Sequence, residues 1–134
     1  VAADDLYDNV KVLPAIRPDI LRVNGSVDGP TVDRRQGRTF YRSVMFAVMT
    51  GAITDGTHTV NVQESANGTD WTNVAAGDLR GAEPVILLAN DNATYEFAYT
   101  GGAHYVRLQL ITTGATTGGF VDGVCLLGIQ AVPR

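Results

Sequence analysis

A chain of 134 residues is long enough for one domain that buries its core unaided. Its 10 basic and 14 acidic side chains leave a formal net charge of -4, which excludes a general nucleic-acid binder because phosphate backbones reward surplus Lys and Arg. A hydrophobic fraction of 45% excludes global disorder, and a single cysteine, Cys125, excludes an internal disulfide framework.

The chain opens VAADDLYDNV, which is acidic and lacks the basic-then-apolar order of a signal peptide. No apolar run reaches the ~20 residues of a membrane helix. The expectation is a soluble domain without address label or membrane contact, its initiator methionine removed or encoded upstream. Residues 1–20 show little periodicity, and Pro14 and Pro18 remove ladder donors. This segment reads as an extended N-terminal arm lying on the domain or on a neighbour; an edge strand on the chain's own sandwich is the other reading. Asp4, Asp5 and Asp8 give it an acidic cluster without EF-hand spacing, read as solvated or partner-facing.

From residue 21 to 134 the pattern is that of a β-sandwich domain. Arg34, Arg35, Arg38 and Arg42 confine positive charge to one stretch of an acidic chain. They are read either as solvated rim charge or as a salt-bridging contact for an acidic partner, for which the planar guanidinium is suited. Arg38 to Met49 begins by alternating, with Arg38, Phe40 and Arg42 on one face, then turns apolar on both faces through VMFAVM, as a central strand buried on two sides does. Thr57 to Glu64, Ala93 to Tyr99 and His104 to Ile111 alternate strictly, which is the period of a half-buried strand. Val85 to Ala89 and Phe120 to Ile129 are shorter apolar strands.

Turn chemistry separates them. Asn24-Gly25, Asp28-Gly29, Asp55-Gly56 and Asn67-Gly68 are suited to the positive φ of tight hairpin turns. Gly101-Gly102 reads as the turn of a hairpin running from Ala93 to Ile111, and Asp122-Gly123 as a bulge. Helical periodicity is missing, so the predicted fold is all-β: a single-domain antiparallel β-sandwich, jelly-roll-like, with the N-terminal arm.

Within VNVQESANGTDWTNV the alternation breaks at Asn67-Gly68 and resumes at Trp71, the sole tryptophan. The residue types predict a hairpin rather than a ligand loop, with Ser65 bonding a turn amide and Trp71 packing at the core or its rim. Glu64 to Trp71 resembles the Ser-x-Asp-Gly-x-x-Trp hairpin of discoidin-type β-sandwich domains, and His104-Tyr105-Val106-Arg107-Leu108 resembles their Tyr-Val-Arg-Leu strand. Those domains carry paired cysteines that this chain lacks.

A fuller resemblance runs from Met45 onward. GAITDGTHTVNVQES, NGTDWTNVAAGDLRG and YEFAYTGGAHYVRLQLITTGATTGGFVDGVCLLG are similar to a group of small tailed-phage virion proteins associated with the head. The resemblance implies a structural protein located in the virion: a decoration or cement protein, most simply a homotrimer, binding the major capsid protein or other virion proteins. A head-to-tail connector or tail component is one alternative, separated by copy number. A carbohydrate-binding module is the other, motivated by the discoidin-like hairpin and by Trp71, Tyr95 and Tyr99.

Catalytic constellations are not found. His58 and His104 are the two histidines, neither in a metal-ligand spacing, and there is no P-loop or nucleophile elbow. Cys125, set in VCLLG, reads as a buried thiol. Asn24, Asn67 and Asn92 begin sequons that matter only in a eukaryotic secretory setting. No catalytic step, cofactor or metal is expected.

Overall fold

The computed structural model describes residues 6–18 and 21–128, and its regular structure is almost wholly antiparallel strand. A one-turn helix, α1 (Leu6–Asn9), leads into β1 (Val10–Ile16), β2 (Gly25–Asp28) and β3 (Val32–Asp33). A small pair, β4 (Arg35–Gln36) and β5 (Thr39–Phe40), precedes the long strands β6 (Ser43–Ile53) and β7 (Thr57–Ser65). Short pieces follow: β8 (Thr72–Asn73), β9 (Leu79–Arg80) and β10 (Val85–Ile86). The chain closes on β11 (Thr94–Tyr99), β12 (Tyr105–Thr113) and β13 (Gly119–Gly128).

These strands form three sheets. Sheet A has the order β1-β13-β6-β11-β9; sheet B has β10-β7-β12-β2, with β3 also on β12 and β8 on β7; β4 and β5 pair alone. The strict alternation places one side chain in two on an inner face. Val44, Phe46 and Val48 of β6 and Cys125 and Leu127 of β13 meet Val60 and Val62 of β7 and Val106, Leu108 and Leu110 of β12 in one buried cluster. Phe46 and Phe97 stack at its centre with ring centroids 5.6 Å apart. Each such side chain contributes roughly 1.5–3 kcal/mol on burial, so a sandwich-like pair of sheets is stabilised mainly from within.

Several connections differ from the sequence expectation. Ala93 to Ile111 is not a hairpin: β11 lies in sheet A and β12 in sheet B. Matching inward faces arise just as well when two strands line one core from opposite sides. Gly101 makes this crossing because a Cβ there would sit 2.4 Å from the Tyr99 hydroxyl. Asp55-Gly56 likewise carries the chain from β6 to β7 across the sheets. Its Asp55 carboxylate accepts the backbone N–H groups of Thr116, Thr117 and Gly118, tying down the loop before β13. Asn67-Gly68 does form a hairpin, between β7 and β8, with Gly68 at φ 80°.

Asp28-Gly29 is not a turn of the positive-φ kind. β2 and β3 continue along the same partner, β12, with Gly29 in the break. The Gly29 N–H donates to the Leu108 carbonyl at 2.7 Å, and a Cβ would fall 1.9 Å from the Ala15 carbonyl oxygen. Asp122 and Gly123 pair regularly with Met49 and Val48; the irregularities lie at Gly119–Val121 and, on the neighbouring strand, at Pro14–Ile16.

The expected arm is corrected over Val10–Ile16. That stretch is an edge strand registered on β13, from Val10 opposite Gly128 to Ile16 opposite Gly123, and Ala15 and Ile16 are buried. Pro14 is tolerated because an edge strand leaves one side of its ladder unpaired. Residues 1–5, which include Asp4 and Asp5, and residues 19–20 lie outside the described residues.

Candidate interaction surface

The outward face of sheet A is where an apolar surface is left uncovered. Registered rows place Val12 beside Leu126 and Leu126 beside Met45; Pro14 beside Val124 and Val124 beside Ala47; Asp122 beside Met49. Val12 is 57% exposed, Met49 54%, Phe120 52% and Val124 38%. Phe120 lies against Gly51, where an added Cβ would come within 3.2 Å of its own Cβ. Leu6, Tyr7 and Val10 extend the strip into a shallow groove beside Val12 and Leu126. Asp122 and Glu96 are the carboxylates on the rows running from β13 to β11. Scattered exposed apolar residues are ordinary, whereas a registered strip of them makes a candidate interaction surface.

This face was visible in the sequence as VMFAVM but under another reading. The predicted central strand is β6, third of five in its sheet. Its second apolar face points outward, with Met45 and Ala47 half-buried and Met49 exposed, which corrects the expected two-sided burial.

The arginine stretch divides. Arg35, Arg38 and Arg42 are exposed around the β4–β5 turn, where Gly37 has φ 63°. Arg34 is 3% exposed and is corrected from surface contact to internal tie. Its guanidinium donates to the carbonyls of Tyr41 (3.2 Å), Gly101 (3.2 Å), Ala103 (2.7 Å) and Arg42 (2.9 Å), and it faces the rings of Phe40 and Tyr99 at 5.0 and 5.7 Å. Burial pulls its pKa below the ordinary arginine value. No carboxylate is among those contacts, so the charge is held by carbonyl dipoles and aromatic faces. Arg38, Phe40 and Arg42 do not share one strand, because β5 ends at Phe40 and β6 begins at Ser43. Asp8 is exposed on α1.

Trp71 sits outside the buried core, half-buried on the outward side of sheet B, with the Arg107 guanidinium 4.3 Å from its ring centroid. Tyr95 and Tyr99 point to the interior of sheet A, so the three aromatic residues do not gather into one site. The turn before Trp71 is closed by its own side chains: Ser65 Oγ accepts from the N–H groups of Asn67 and Gly68, and Asn67 Oδ1 from those of Thr69 and Asp70.

Groups with chemical potential are otherwise engaged. Cys125 is buried, and burial pushes its thiol up to about 12. His58 is buried between Thr112 Oγ1 at 2.9 Å and the Asp55 carbonyl at 3.1 Å. His104 pairs with Asp33 at 2.7 Å and stacks on Tyr105. Among the described residues no group of His, Cys, Asp or Glu side chains could hold a metal ion, and no helix is long and apolar enough to cross a membrane. No protein-family model, curated protein or solved structure matches the chain.

Proposed function

We propose that this chain is a structural, non-enzymatic subunit of a tailed-phage head, a decoration or cement protein that seats the outward face of sheet A on the major capsid lattice. The observation that carries this reading is the registered apolar strip Val12–Leu126–Met45, Val124–Ala47 and Met49 with Phe120 beside it. Such a strip is unfavourable in water and is stabilised by a protein surface of matching shape. The motif resemblance from Met45 onward supports the virion setting.

Strand order adds to it. β1-β13-β6-β11 faces β2-β12-β7-β10, and successive long strands cross from one sheet to the other. That order supports a jelly-roll reading, an architecture used by viral capsid and lectin domains. Fold analogy is a weaker support than the strip, because one fold hosts many functions. The exposed arginines around the β4–β5 turn supply a polar rim for an acidic neighbour, and assembly as a homotrimer multiplies each small contact.

Attachment to capsids stripped of this protein tests the reading. Met49→Glu combined with Phe120→Ser should weaken attachment more than tenfold while circular dichroism stays native. Arg35→Glu with Arg38→Glu and Arg42→Glu should weaken it less, and added salt should mask that smaller effect. Attachment indifferent to the Met49 and Phe120 changes removes sheet A from the contact.

A further inference from the structure

The outward face of sheet B carries a band of hydrogen-bonded amides that the outward face of sheet A lacks. Its registered rows are Asn73–Gln63–Arg107 and Asn61–Gln109–Asp28. Gln63 Nε2 donates to Asn73 Oδ1 at 3.0 Å and lies 3.4 Å from Gln109 Oε1, while its own Oε1 accepts from Arg107 Nε at 2.8 Å. Gln109 Nε2 donates to Asp28 Oδ1 at 3.1 Å. The single charge pair, Arg107 with Asp28 at 3.6 Å, is internally balanced, so the rows carry no net charge. Trp71 flanks Arg107 at 4.3 Å, and Tyr105 occupies the outward position two residues before it.

We infer that this face is a binding platform for a neutral oligosaccharide chain. The Gln63, Asn73 and Gln109 amides are fixed by one another, so the ordering entropy of their rotamers is already spent before a ligand arrives. Each amide still has capacity: a primary amide offers two donors and two acceptor lone pairs, and the bonds above use only part of them. The Asn61 side chain and the Asn73 Nδ2 make no hydrogen bond to the described protein. Paired donors and acceptors on a surface without net charge match vicinal hydroxyls. The half-buried Trp71 ring supplies the apolar surface against which C–H groups of a sugar ring pack, whereas the Tyr105 ring is already taken up by its stack on His104 and by Gly68. The inference stands apart from the lattice reading, because it uses the opposite sheet. The same subunit can hold a shell by sheet A and present sheet B outward.

Electrophoresis through native gels containing hydroxyethylcellulose, dextran, galactomannan or glycogen tests it, together with Trp71 emission during titration with the corresponding hexasaccharides. At least one polysaccharide should retard the wild type, and its hexasaccharide should change the emission of the sole tryptophan. Gln109→Ala and Asn61→Ala, both on the surface, should weaken that retardation at least fivefold. Met49→Glu with Phe120→Ser should leave it unchanged, which separates this result from the capsid assay. Unaltered mobility in all four gels with constant emission overturns the inference. Retardation that survives both amide substitutions at full strength overturns it equally.

Discussion

Tyr99 of sheet A donates its phenolic hydrogen to Glu64 of sheet B across 2.5 Å, joining the inner faces of the sandwich at one end. The same oxygen accepts the Ala103 N–H at 2.9 Å, in the stretch that carries the chain between the two sheets. Tyr99→Phe removes one atom and leaves both partners unmatched. The expected loss of unfolding free energy is about 1–3 kcal/mol, the usual cost of stranding part-buried polar groups. Urea titration with an unchanged slope should show it; a midpoint equal to the wild type's would mean that water replaces the hydroxyl.

The alkaline limb of stability follows from two buried acids. Burial, then the bond to Glu64, pushes Tyr99 from its ordinary 10.0 up to about 12, and burial pushes Cys125 from 9.0 up to about 12. Both groups hold their proton more tightly folded than unfolded. Their contribution is therefore complete below about pH 9 and is lost as pH rises toward about 12. Thermal melts should decline from pH 9 upward in the wild type. In Cys125→Ala the decline should begin nearer pH 10, from a lower plateau that reflects the lost packing. A flat profile between pH 9 and 11 speaks against both assignments.

Arg34 and its exposed neighbours should part company on mutation. Arg34→Met leaves the carbonyls of Tyr41, Arg42, Gly101 and Ala103 without their donor and should cost at least about 2 kcal/mol. Arg35→Ala and Arg38→Ala touch no such tie and should stay within about 0.5 kcal/mol of wild type. Equal melting temperatures for Arg34→Met and Arg38→Ala would contradict the internal role.

Gly29 is a steric requirement rather than a turn. A methyl group there meets the Ala15 carbonyl oxygen and, at 2.9 Å, that of Leu108. Gly29→Ala must move the edge strand β1 or break β2 from β3, at about 3 kcal/mol. Hydrogen exchange should localise the loosening to Val10–Ile16 and Gly25–Asp28. Uniform protection would refute the close approach.

The strands were legible because burial on one side of a sheet imposes a period of two. Thr57 to Glu64 against β7, and Tyr95, Phe97 and Tyr99 facing inward, follow directly from that period. Sheet membership was not legible. The pattern marks which residues face the core but not from which side, so the Gly101-Gly102 crossing looked like a hairpin. Arg34 was hidden for another reason: its partners are backbone carbonyls at residues 41, 42, 101 and 103, and no residue type announces a carbonyl. The apolar strip of sheet A was in plain view at Met45, Ala47 and Met49. Composition alone does not distinguish a second buried face from one left open on the outside of a sheet.

The position and orientation of this chain in an intact particle test the lattice reading most directly. On that reading, a cryo-EM reconstruction of a phage particle carrying the chain should show many copies on the capsid shell, in trimers. Met49, Phe120 and Val124 should lie against the major capsid protein and the β7–β12 face should point away. Density confined to about a dozen copies at the portal or tail, or a sheet A face open to solvent in every copy, would contradict it.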